Sequence, residues 1–190
     1  MRRSTRIALA LCLAVFGGIT ETRIPSVAAV YAQSRPAKMK FSGTAVATTL
    51  SLLPGTVTDE DHLEGNGTGG SFTFRQLRTD GPAAQPPSGC TSPRYFTVVT
   101  GAGVFRFQDG SLLIVRIAEG SGCIDLTAGN TQLIVVYEIT GGTKRFSGAS
   151  GDLTLKATFT PVFRNPSTNA PVLLTLTGEF EGTILGAALE

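Results

Sequence analysis

The chain lacks much of what site chemistry commonly uses. It has one histidine, His62. That residue sits in a polar segment with no nucleophile beside it, so it reads as an incidental surface side chain rather than a general base. There are three cysteines, and neither Cys90 nor Cys123 has a histidine or a second cysteine at metal-ligand spacing. No metal site is expected, and no cofactor. Beyond the first twenty residues no stretch is long and apolar enough for a membrane helix. No segment outside that region keeps a helical period, and there is no repeat or low-complexity tract.

What is present first is an export leader. Arg2, Arg3 and Arg6 form a basic start, and residues 7–19 form a short apolar run. A small-x-small cleavage site follows at Val30-Tyr31-Ala32, with Ser26-Val27-Ala28 as a second candidate. Cys12 follows Leu11, where a lipoprotein signal needs a small residue, so lipid anchoring is not expected. The expected address is secreted or periplasmic, with no membrane insertion after cleavage. Residues 1–32 are read as signal peptide and 33–190 as one domain.

Cleavage also changes the charge. The full chain has 16 basic and 14 acidic residues. Loss of Arg2, Arg3, Arg6, Arg23 and Glu21 leaves 12 and 13, a net charge of −1. The basic excess belongs to the leader, which removes the electrostatic argument for a nucleic-acid partner. Two cysteines remain. In an oxidising compartment Cys90 and Cys123 read as a disulfide, with two buried thiols as the alternative. Such a bridge contributes roughly 3–4 kcal/mol in the chain-entropy model.

Strand patterns recur along the mature chain. They fall at residues 41–52, around Phe72 and Phe74, and at 95–108, 111–118, 131–140, 152–160 and 172–185. Leu133, Val135, Tyr137 and Ile139 share one face of the fifth. Leu153, Leu155, Ala157 and Phe159 share one face of the sixth, and Leu174, Leu176, Gly178, Phe180, Gly182 and Ile184 one face of the seventh. The hairpin at Asp109-Gly110 admits two registers. A plain two-residue turn would put Arg116 on the Phe105 face. A glycine bulge at Gly110 instead groups Phe105 with Leu113, Val115 and Ile117, and turns Arg106 and Arg116 outward. Burying a lone arginine costs more than a bulge, so the bulged register is expected. Seven or more such strands call for an antiparallel all-β barrel of seven to eight strands, because closure removes the sheet edges. Inward glycines at 101, 103, 178 and 182 suit sharply coiled strands. A filled core and an open lumen remain equal alternatives.

Several polar features are weighed on the same terms. Asp59, Glu60, Asp61 and Glu64 resemble a calcium loop in charge only, since the glycine such a loop needs is absent. They are expected to form a solvated acidic turn. Asn66-Gly67-Thr68 matches a glycosylation sequon. Glu138 is expected to face out and Tyr137 in. Lys144 and Arg145 read as a solvated turn. Residues 79–94, rich in Pro, Gly and Ser, are long for a hairpin connection and suit a cap over one barrel mouth.

Residues 139–155 carry Gly141, Gly142, Thr143, Phe146, Gly148, Ala149 and Gly151 between two strands. This stretch resembles the turn of the allene oxide cyclase and dirigent barrel superfamily, with Lys144 where a glycine is usual. It is nearest to the secreted bacterial proteins of unknown role that look similar. The resemblance implies an eight-stranded antiparallel barrel with an apolar cavity, and self-association as a homo-oligomer. It transfers no catalytic residue. The leading expectation is a non-enzymatic barrel that binds a small hydrophobic molecule, with Tyr137, Phe105, Phe159 and Phe180 as the candidate contacts. A cyclase-like or dirigent-like isomerase or chirality guide is the second expectation. It requires polar groups facing the cavity, of which Tyr137 is the one named. A structural or adhesive envelope module is the third.

Overall fold

The computed structural model describes residues 34–187. The leader, both cleavage candidates and Cys12 lie outside the described residues. Eight strands follow in order: β1 (Ser34–Ala47), β2 (Val57–Gly67), β3 (Gly70–Pro82), β4 (Tyr95–Phe107), β5 (Leu112–Asp125), β6 (Asn130–Gly142), β7 (Ser150–Arg164) and β8 (Pro171–Leu185). Each pairs antiparallel with the next, and β8 returns to β1 through a ladder from Ser34↔Leu185 to Val46↔Leu173. The barrel is therefore closed, and every strand has two hydrogen-bonded neighbours. No helix among the described residues is long and apolar enough to cross a membrane.

The acidic segment 59–64 is not a turn. It lies inside β2, where Asp59 pairs with Arg78 and Asp61 with Gln76 on β3. An apolar alternation fails there because two of its inward positions are aspartates. The first strand also differs from expectation: it starts at Ser34 and ends at Ala47, and residues 48–52 are outside it. The glycine bulge is present. Gly110 has φ 73°, its N–H donates to Phe107 O at 2.8 Å, and Phe105 pairs with Leu113. Arg106 and Arg116 are exposed, while Ile117 is half-buried.

The barrel interior has two halves. The lower half is packed with aromatic rings. Phe74 and Phe105 lie 4.3 Å apart, Phe105 and Phe180 4.9 Å, and Phe41 and Phe180 5.0 Å, between ring centroids. Each fully buried ring stabilises the fold by about 1.5–3 kcal/mol. Inward glycines make room for these rings. A Cβ on Gly103 would sit 2.4 Å from Phe74 Cζ.

The glycine-rich turn after β6 closes this end. A single 3-10 turn, Lys144–Phe146, inserts Phe146 fully buried beneath Phe107, with 4.8 Å between ring centroids. Gly148 and Gly151 take positive φ, and so does Lys144 at 53°. Arg145 is not a solvated side chain. Its guanidinium lies over Phe107 and Phe146 at 4.8 and 4.9 Å. It also donates to Gly69 O at 2.6 Å and pairs with Asp109 at 3.2 Å. Lys144 Nζ donates to Asp109 O at 2.6 Å. The turn thus ties the floor to the two neighbouring hairpins.

At the opposite end, the Cys90–Cys123 disulfide joins the loop after β3 to β5, with Cα atoms 5.7 Å apart. Ile124 N–H donates to Arg94 O at 3.0 Å beside it.

Candidate ligand-binding site

The upper half of the barrel is open. A cavity of about 440 Å³ lies among the strand ends at the mouth. Its walls are mostly apolar: Val57, Pro82, Phe96, Ile124, Phe159 and Leu174. Gly122 leaves the space that the Phe96 ring occupies, since a Cβ there would fall 2.1 Å from Phe96 Cζ. The charged part of the lining is Asp59, Arg78 and Asp80.

Alternation explains how these charges come to face inward. On β3, Phe72 and Phe74 point into the barrel, and the same phase carries Gln76 and Arg78 inward above them. On β2 the inward phase brings Asp61 and Asp59 opposite Gln76 and Arg78. On β4 the partners of Gln76 and Arg78 are Gly103 and Gly101, where an added Cβ would meet the Phe74 ring and Ile117 Cδ1 respectively. The next residue of the β3 phase, Asp80, stands beside Arg78 at the cavity, and the β3–β4 register shifts at Thr79/Asp80.

Arg78 is the centre of the cluster, with its side chain only 2% exposed. Its two terminal nitrogens donate to Asp80 Oδ2 at 2.6 Å and Asp59 Oδ2 at 2.9 Å. Its Nε lies 3.5 Å from Asp61 Oδ2. The Phe159 ring covers its face, 5.2 Å from the guanidinium carbon. Below, Gln76 Nε2 donates to Asp61 Oδ2 at 2.5 Å, and the Tyr137 hydroxyl donates to Gln76 Oε1 at 2.7 Å. A hydrogen-bonded line therefore rises from the aromatic packing to Asp61, and an ion pair continues it to Arg78 at the cavity. Asp61 Oδ1, Asp80 Oδ1 and Arg78 Nε are buried without a hydrogen-bond partner.

Three carboxylates share one guanidinium, and the protonation of Asp59 and Asp80 reflects their burial. Burial raises Asp80 to about 7; Arg78 opposes the rise, while Asp59 and Asp61 add to it. Burial likewise raises Asp59, against the pull of Arg78. Burial works against the charge on Arg78, but the three aspartates outweigh it and hold the guanidinium firmly protonated. Burial, then the Asp61 charge, pushes the Tyr137 hydroxyl well above its usual range. At neutral pH the floor holds an acid that can both give and take a proton, and the phenol bonded to Gln76 stays neutral.

The four candidate contacts read from sequence all face inward and are buried, but they divide by height. Phe159 lines the cavity. Tyr137 sits at the boundary, linked to the polar line. Phe105 and Phe180 belong to the aromatic packing below. Glu138 faces outward, ion-paired with Arg116. His62 also faces outward, 2.6 Å from Glu60. Asp59, Asp61, Gln76, Arg78 and Asp80 were not singled out as lumen residues. Continuing the Phe72/Phe74 alternation for three more inward positions would have found those on β3.

Fold and site together define a closed antiparallel barrel with an apolar cup over a charged floor. No protein-family model, curated protein or solved structure matches the chain at a significant level.

Proposed function

We propose that this is a secreted or periplasmic barrel that binds a small, largely apolar molecule in its upper lumen, with the charged floor orienting one polar group. The cavity carries this reading: about 440 Å³ with mainly apolar walls, ending on Asp59, Arg78 and Asp80. Open space of this kind is what apolar ligands occupy, with a few polar groups setting orientation. The resemblance of residues 139–155 to cyclase and dirigent barrels supports the same reading. The Cys90–Cys123 bridge and the leader-like start support export. The test is native mass spectrometry of protein expressed through an oxidising secretory route, repeated after denaturation. A small apolar molecule bound natively and released on denaturation is the expected result. Bare polypeptide, together with no saturable uptake of apolar probes, would move the reading to a structural barrel.

A second reading is an isomerase or chirality guide using the same cup. Asp80 favours it, because a carboxyl raised to about 7 is placed for general acid–base work at neutral pH. Turnover of a fatty-acid epoxide, or a shift in the handedness of radical coupling, that disappears in Asp80→Asn while probe binding persists would establish it.

A further inference from the structure

We infer that the polar group this cup accepts is a cation, so that its ligands are small apolar amines and not fatty acids. The inference rests on the binding reading above. A buried arginine in an apolar lumen at first suggests a clamp for a carboxylate ligand. Here both terminal nitrogens of the guanidinium are already engaged, and Nε, which makes no hydrogen bond, is buried against Asp61. One terminal nitrogen serves Asp80, the other Asp59, Nε faces Asp61, and Phe159 covers the face. An incoming carboxylate would have to displace an aspartate from Arg78 and would leave that aspartate buried and unpaired.

The charge count points the other way. Asp59 and Asp61 on β2 and Asp80 on β3 face Arg78 alone. Tyr137 on β6 and Phe159 on β7 bring no charge, and the other lining residues are uncharged. The unused acceptors are carboxylate oxygens. Asp80 lines the cavity, and its Oδ1 is buried with no partner. So is Oδ1 of Asp61, whose side chain is 1% exposed. Asp80 Oδ1 calls for a donor at the cavity, Asp61 lying behind the lining, and the surplus negative charge calls for a positive one. Without ligand, the proton that Asp80 retains near neutrality limits that surplus. A bound ammonium does the same work, so binding releases up to one proton from Asp80 to solvent.

The experiment compares octylamine, octanol and octanoate by titration calorimetry on the secreted, disulfide-bonded protein, in two buffers of different ionisation heat. At about pH 8, octylamine is expected to bind about ten-fold or more tighter than octanol, with octanoate weakest. At about pH 5.5 the amine preference should shrink as Asp80 keeps its proton, and amine binding should release protons near pH 7. Asp80→Asn should lose the amine preference over octanol. Octanoate binding as tightly as octylamine, or octanol matching octylamine at the higher pH, overturns the inference and leaves the binding reading standing. No saturable binding by any of the three removes both. If Asp80→Asn does not fold, the wild-type ranking and its proton count decide the matter alone.

Discussion

Arg78 is the residue on which the upper barrel depends. It is a buried cation with one buried and two half-buried aspartate partners, so removing it strands the aspartates rather than merely deleting a contact. Arg78→Met is expected to destabilise the fold by about 3–5 kcal/mol near neutral pH, read from urea unfolding. The loss should be smaller near pH 5, where the orphaned carboxylates can take protons. The same cluster sets a pH dependence in the intact protein. The carboxyl of Asp80 has a folded value of about 7, above its unfolded range near 4. A carboxyl shifted in this direction favours the folded state at low pH, and that contribution is lost as pH rises toward and through the folded value. Asp59 is shifted in the same direction. Melting temperature should therefore be higher near pH 5.5 than near pH 8.5, and Asp80→Asn should flatten the slope. A melting temperature that rises across this interval would contradict the assignment of surplus negative charge.

Among the elements, β4 and the mouth loop give the clearest tests. Gly103 on β4 has no spare space above it: an added methyl would fall 2.4 Å from Phe74. That ring is itself held 4.3 Å from Phe105. Gly103→Ala is expected to cost about 1–3 kcal/mol in thermal or urea unfolding, as an overpacked core site does. The bridge from Cys90 to Cys123 closes a loop of 33 residues. The Cys90→Ser/Cys123→Ser pair should lose roughly 3–4 kcal/mol, and the wild-type mass should be two hydrogens below that of the reduced chain. Most strands were legible because their inward positions are apolar, as on β6 and β7. The bulge at Gly110 was legible because only one register keeps Arg116 in water. β2 was not, since its inward residues Asp59 and Asp61 break the apolar phase that defines a strand in sequence. The site was hidden for the same reason. Its side chains look like surface residues until Arg78 and the aspartates are seen to pair with one another on β2 and β3. The turn at residues 139–155 stood out by its glycines, but its burial of Arg145 against two phenylalanines depends on hairpins distant in sequence.

For the molecule as a whole, closure and closing end work together. The ring of eight ladders leaves no unpaired strand edge, so association through strand addition is disfavoured. The aromatic packing and Phe146 fill the lower half, which confines open space to the mouth. Phe146→Ala should therefore act at a distance from the cup. It is expected to lower stability by about 3–5 kcal/mol while leaving the affinity for an apolar probe unchanged in the surviving folded protein, as measured by titration at low temperature. The chain enters β1 and leaves β8 at that filled end, where Ser34 lies opposite Leu185. A linker joined ahead of Ser34 or after Leu185 would therefore hang from the base of the cup. Such a handle could fix the barrel to a bead or electrode with its opening turned toward the solution, making a surface-mounted receptor without re-engineering the loops.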